Sequence, residues 1–140
     1  MTEEKTRPAF FETTIEVRGY ELDSYGHVNH AIYVSYLEHA RWKMLEQEGI
    51  GLEHFKKWSR WPVIAGLEIQ YQKPAFLGDR LDVRTEVVEV GRTSFTFSQT
   101  IHRAGQPVVQ AKVRAVMINE HGRPASMPDE MKSRWGGDPA

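Results

Sequence analysis

The densest chemistry in the chain lies in the segment Asp23-Ser24-Tyr25-Gly26-His27-Val28-Asn29-His30. It holds a carboxylate (Asp23), two imidazoles (His27 and His30) and a carboxamide (Asn29). The segment runs into a stretch with helical periodicity, so its end coincides with a helix N-terminus. Backbone N–H groups are free there, and the helix dipole presents partial positive charge. Such a place binds anions and stabilises the oxyanion that develops when a carbonyl is attacked. A carboxylate beside it can attack the same carbonyl or take a proton from water. One short segment thus supplies both halves of an acyl-transfer site, with Asp23, His27, Asn29 and His30 as the catalytic candidates.

Two other readings use the same residues. Asp, Ser, Gly and Asn are ordinary loop and cap residues, so Asp23 and Asn29 could simply cap the helix. Asp23, His27 and His30 could instead gather a metal. The two histidines are three apart and lack the intervening Glu of a zincin helix, and His39, His54, His102 and His121 are scattered. No metal and no cofactor are expected.

The elements that must position this segment are legible from periodicity. From about Asn29 to Glu48, Tyr33, Tyr36, Leu37, Ala40, Met44 and Leu45 recur at helical spacing. Asn29 is a natural N-cap and Gly49 a natural stop. Upstream, Thr13–Arg18 alternates with Ile15 and Val17 on one face, and Gly19–His27 reads as a loop. Downstream of about Trp61 the alternation returns in four runs. These are Val63, Ala65, Leu67, Ile69 and Tyr71; then Leu81, Val83, Thr85 and Val87; then Phe95, Phe97 and Ile101; then Val109 to Met117. The residues 74–79, Gly91-Arg92 and Ala104–Pro107 punctuate them, and connections this short favour antiparallel pairing. The expected class is α+β: one long helix against a curved antiparallel sheet of about five strands. Trp42, Trp58 and Trp61 add aromatic bulk near the helix end, and both chain ends, residues 1–8 and 134–140, read as loose.

Composition narrows the function classes. A chain of 140 residues suits a single domain, with its core over about residues 11–128. Lys plus Arg is 18 against 19 Asp plus Glu, which argues against a nucleic-acid binder. The absence of Cys excludes disulfides, thiolate nucleophiles and zinc–thiolate sites, and suits a reducing compartment. No run approaches the roughly 18–20 apolar residues of a membrane span, and no secretory h-region opens the chain. A cytoplasmic location is expected. Regular edge strands invite a second copy, so a homo-oligomer is expected too. Gly-x-Ser-x-Gly, phosphate-loop and dinucleotide signatures are absent.

The block from Tyr20 through Asp23, His27-Val28-Asn29-His30, Tyr33 and Tyr36 to Glu38, Ala40 and Arg41 resembles the hotdog-fold acyl-CoA thioesterases of the 4-hydroxybenzoyl-CoA thioesterase type. Tyr71-Gln72-Lys73-Pro74-Ala75-Phe76-Leu77-Gly78-Asp79 is similar to that family's Pro-Ala-x-x-Gly-Asp link, and Gly91-Arg92-Thr93-Ser94-Phe95 to the hairpin that follows it. The likeness covers about residues 11–128. It implies one long helix wrapped by the sheet, a dimer at least with a tetramer expected, and a site between subunits that hydrolyses a thioester to free acid and CoA. Carried over by position, the catalytic carboxylate falls on Asp23 and the oxyanion N–H on His30. Arg92 and Ser94 fall where the family contacts the nucleotide end of CoA, with Lys73 and Arg103 as further cations. Tyr33, Tyr36, Val63 and Phe76 become candidates for the acyl pocket. His27-Val28-Asn29 also resembles the plant acyl-ACP thioesterases, but Tyr25 stands where those enzymes place a catalytic Asn. Glu38 lies close to another clade's catalytic Glu without aligning to it, and reads as an i,i+3 partner of Arg41. The remaining readings are a non-catalytic acyl-CoA binder of the same fold, another hotdog reaction such as hydration, and an acyl-ACP thioesterase.

Overall fold

The computed structural model describes residues 10–135. Its long helix, α1 (His30–Gln47), starts and stops where the capping residues predict. The Asn29 side chain accepts the Ala31 N–H, and Gly49 adopts φ +78, which lets the Ile50 N–H return to the Leu45 carbonyl at 2.9 Å. Tyr33, Tyr36, Leu37, Ala40, Met44 and Leu45 form its buried face.

Five strands surround it: β1 (Phe11–Glu16), β2 (Arg60–Tyr71), β3 (Arg80–Val90), β4 (Ser94–Arg103) and β5 (Gln106–Asn119). They form one antiparallel sheet in the order β1-β3-β4-β5-β2, so β1 and β2 are its edges. Ile15, Leu81, Val83, Ile101, Val109 and Ala111 pack under the first half of α1. Phe95, Phe97, Val113, Ala115 and Met117 pack under the second half. This is the α+β hotdog arrangement that the resemblance implied.

Several local expectations are corrected. β2 does not keep one face from Val63 to Tyr71. Its register shifts between Ile64 and Gly66, leaving Ala65 as an extra residue, so the alternation before it is out of step with the alternation after it. Ile64, Leu67, Ile69 and Tyr71 therefore oppose Ala115, Val113, Ala111 and Val109 on the helix side, while Val63 opposes Val116 on the outer face.

Periodicity does not announce two short helices, α2 (Leu52–Trp58) and α3 (Asp129–Trp135). Each has 7 residues, too few for a helical repeat to declare itself. Both are held by packing: Phe55 and Met131 are buried, and the Trp135 ring lies 5.0 Å from that of Phe95. Residues 134 and 135 are thus helical and not loose; the other residues expected to be loose, 1–8 and 136–140, lie outside the described residues. Arg41 does not close on Glu38 either. It turns into the core, where its Nη1 donates to Gln99 Oε1 at 3.0 Å and Gln99 Nε2 donates to the Leu37 carbonyl and to Thr85 Oγ1.

Candidate active site

The segment before α1 folds back on itself as a small hairpin. The Asp23 N–H donates to the His27 carbonyl at 2.7 Å, the Asn29 N–H donates to the Glu21 carbonyl at 2.9 Å, and Leu22 pairs with Val28. Gly26 makes the turn at φ +81, a conformation that costs a residue with a Cβ, and donates its N–H to the Asp23 carbonyl. The hairpin is tied to the link between β2 and β3: the Val28 N–H reaches the Ala75 carbonyl at 2.9 Å, and His27 pairs with Phe76.

Within this frame the Asp23 carboxylate is half-buried and oriented. Its Oδ1 accepts the N–H groups of Tyr25 (2.9 Å) and His27 (3.1 Å), while Oδ2 has no protein partner among the described residues. The helix start is equally asymmetric. Asn29 Oδ1 takes the Ala31 N–H at 2.9 Å and the Asn29 carbonyl takes that of Ile32, but the His30 N–H has no acceptor among the described residues. Asn29 is thus a working cap. Among the described residues, one N–H at the helix start and one carboxylate oxygen on the hairpin that leads into it are left without protein partners.

Aromatic rings border this place. His27 stands edge-on to Phe76 with centroids 5.2 Å apart, and the exposed His30 ring stands edge-on to Tyr71 at 6.4 Å. The Tyr71 hydroxyl donates to the His30 carbonyl at 3.0 Å, fastening β2 to the first turn of α1. Phe76, Leu77 and Tyr71 are all substantially exposed, an apolar rim beside a polar centre.

Polar side chains hold the rim and hairpin in place from behind. The buried Tyr33 hydroxyl accepts the Ala75 N–H at 3.1 Å, and burial pushes that phenol above its ordinary pKa. Asp79 Oδ2 accepts the Phe76 N–H at 2.8 Å and Arg103 at 2.9 Å, and Arg103 also donates to the Pro74 carbonyl. Tyr36 donates to the carboxylate of Glu21 at 2.7 Å; burial and then that bond raise its phenol well beyond the ordinary range. Burial pushes the Glu21 carboxyl up, but the bonds from the Arg18 side chain, the Arg18 N–H and Tyr36 outweigh it and hold the group below its usual value.

Asp23, His27, Asn29 and His30 therefore come together, with Tyr33 behind them and Phe76 at the rim. Tyr36 is committed to Glu21, Arg103 to Asp79, and Lys73 Nζ to Gln106 at 2.8 Å. Val63, Arg92 and Ser94 are not part of this cluster. Val63 is on the outer face of β2. Arg92 and Ser94 lie past the far end of the 11-residue strand β3, whose other end joins the link. Sequence reasoning missed Glu21, Tyr71 and the Asp79–Arg103 clamp as supports. Arg18 and Glu21 at i,i+3 were a signal for the first; no local pattern marks the others. Among the described residues no three His, Asp or Glu groups are placed to hold a metal ion, and no helix is long and apolar enough to cross a membrane.

The long helix laid across one antiparallel sheet is the architecture of the hotdog-fold thioesterases. Residues 17–135 match the family model of the thioesterase-like superfamily, and the chain belongs to that family. It is 36% identical over 110 residues to the long-chain acyl-CoA thioesterase FadM of Escherichia coli (strain K12), covering 77% of this chain and 83% of that protein. It is 30% identical over 129 residues to the chloroplastic acyl-acyl carrier protein thioesterase ATL2 of Arabidopsis thaliana, covering 91% of this chain and 69% of the relative. Among solved structures it resembles a thioesterase from Thermus thermophilus complexed with coenzyme A and Zn. That likeness has a TM-score of 0.77 at 29% identity, over 89% of this chain and 90% of the other. The protein is a thioester hydrolase.

Proposed function

We propose that the chain, acting as one hotdog domain, hydrolyses acyl-CoA thioesters at the junction of the 21–29 hairpin and α1. The observation that carries this is that two groups at this junction have no protein partner among the described residues: Asp23 Oδ2 on the hairpin and the N–H of His30, the first residue of α1. The thioester carbonyl sits at the first turn of α1 with its oxygen toward the His30 N–H. Asp23 Oδ2 takes a proton from water as the water oxygen bonds to the carbonyl carbon. The resulting oxyanion is held by the N–H and the positive end of the helix dipole; losing one such donor typically costs about 10²–10³ in rate. The C–S bond then breaks, the oxyanion collapses to the acid, and CoA leaves as a thiolate that collects the proton from Asp23 or solvent. Direct attack by Asp23, giving an anhydride that water then opens, uses the same geometry. His27 and His30 orient water and substrate from either side.

Arg92 and Ser94 lie at the opposite end of β3 from the link that holds the hairpin, and in this reading they serve a site completed by another copy. β2 supports that assembly: it is an edge strand of 12 residues with Val63, Ile64, Leu67 and Tyr71 exposed. A second copy continuing the sheet along β2 gives a dimer, and the outer sheet faces then offer the contact for a tetramer. A Cys-free enzyme of this kind suits the reducing cytoplasm.

The test is CoA release from straight-chain and aromatic acyl-CoAs, read with a thiol dye, beside Asp23→Asn and a light-scattering mass. Turnover that disappears in the variant supports the reading; unchanged turnover in the variant removes Asp23 from the chemistry. The likeness to an acyl carrier protein thioesterase favours one second reading, hydrolysis of acyl-ACP. A kcat/KM higher on the ACP thioester than on its CoA counterpart would establish that alternative.

A further inference from the structure

Glu21 is an acid with only 4% of its surface exposed. Burying a carboxylate is costly unless its oxygens are fully bonded, and here they are. Oε1 accepts the Arg18 N–H at 2.9 Å and the Tyr36 hydroxyl at 2.7 Å, and Oε2 accepts Arg18 Nη2 at 2.5 Å. The same residue's main-chain carbonyl takes the Asn29 N–H at 2.9 Å. One residue therefore bonds the exit of β1 through Arg18, the second turn of α1 through Tyr36, and the N-cap of α1 through Asn29. Asp23 follows two positions later on the same arm of the hairpin. Glu16 and His39 are the other titratable groups lining the groove between β1 and α1 onto which Glu21 faces.

A carboxylate buried for stability alone could sit anywhere along α1. This one sits where the catalytic hairpin meets the helix. A rotation of the hairpin about that junction would move Asp23 Oδ2 relative to the His30 N–H, and the only side-chain bond from the hairpin's first arm to the body of α1 is Tyr36 to Glu21 among the described residues. We propose that Glu21 is a positioning residue: held by Tyr36 and Arg18, it fixes the register of the hairpin against α1 and so sets the geometry between Asp23 and the helix N–H. The inference rests on the catalytic reading of Asp23 and His30. It assigns Glu21 no contact with substrate and no proton in the reaction.

Rate, and not substrate affinity, is what such a brace controls, because a displacement of about 1 Å in a reacting pair can cost on the order of 10²-fold. The experiment compares Glu21→Gln, Tyr36→Phe, Asp23→Asn and, as a stability control, Thr85→Val, which damages the separate buried network around Gln99. Steady-state kinetics on one turned-over acyl-CoA are taken from pH 4 to 8. Glu21→Gln is expected to lower kcat by about 10- to 100-fold with KM within about threefold. Tyr36→Phe keeps the ring in the core and serves if Glu21→Gln does not fold. It is expected to lower kcat by about three- to tenfold and to move the acidic limb of kcat to higher pH, because Glu21 has lost a donor that favours its charged form. Thr85→Val is expected to melt earlier with kcat unchanged.

A Tyr36→Phe enzyme with wild-type kcat and an unmoved acidic limb overturns the brace, as does a loss confined to KM. Asp23→Asn separates the two claims. If it is inactive while Tyr36→Phe and Glu21→Gln are normal, the brace alone is wrong. If Asp23→Asn retains the wild-type rate, the catalytic reading fails and the brace falls with it.

Discussion

Around the first two turns of α1 the apolar core also holds buried polar groups, each with a specific partner: Tyr33 with the Ala75 N–H, Tyr36 with Glu21, and Glu21 with Arg18 and Asn29. Around the last two turns Arg41 bonds Gln99, and the remaining buried contacts are apolar. Met44 and Leu45 pack with Phe55 of α2, with Met117 of β5, and with Met127 and Met131 near and in α3. A hydrogen bond loses its strength when its geometry is wrong, so the first arrangement holds atoms in place. Apolar packing mainly requires the right volume, and flexible methionines adapt to fill it. The end of the molecule that, in the proposed mechanism, aligns a carboxylate with a helix N–H is thus built from directional bonds. The end that only has to close the core is built from adaptable side chains and two short helices.

This contrast can be broken or sharpened by substitution. The largest effect is expected for Asp23→Asn, which keeps an oxygen for the Tyr25 and His27 N–H groups but removes the base: turnover should fall by about 10²–10⁴-fold while the melting temperature barely moves. A matching loss of stability would mean that the active end is as structural as the far end. Phe55→Ala, at the far end, should do the opposite. Removing a fully buried ring typically costs about 3–5 kcal/mol, seen as a lower urea midpoint, while turnover per folded molecule stays at the wild-type value.

The pH dependence should also divide along the same line. Glu21 is held below its ordinary value of 4.5 in the folded state, so its contribution to stability is present above that value. It is lost as the pH falls through the lower, folded value. The stability gap between wild type and Glu21→Gln should therefore be widest near neutrality and narrow below about pH 4.5; a gap that widens on acidification would contradict the assignment. The smallest effect is expected for Asn29→Ala. Losing the Ala31 cap should cost about 1 kcal/mol and reduce turnover far less than Asp23→Asn. A loss as large as that of Asp23→Asn would give Asn29 a chemical role beyond capping.

Much of this was legible in the chain itself. The bounds of α1, the strand runs and the hairpin turns follow from periodicity and cap chemistry, which are properties of neighbouring residues. The candidate cluster from Asp23 to His30 was legible for the same reason: its members are close in sequence, so a single turn brings them together. Other features depended on distant contacts. One extra residue in β2 turned Val63 outward and Ile64 inward, and alternation alone carries no mark of where a register slips. Arg41 chose Gln99, 58 positions away, over Glu38 on its own helix. Tyr33 found the Ala75 N–H across 42 positions, and α2 and α3 exist because the core gave Phe55, Met131 and Trp135 somewhere to pack. Sequence alone determined the helix, the strands and the residues capable of acyl chemistry, because propensity and spacing are local. The tertiary structure alone decided which carboxylate is buried and bonded, which face each β2 side chain takes and which partner Arg41 finds, because burial and partner choice are settled only when remote segments meet.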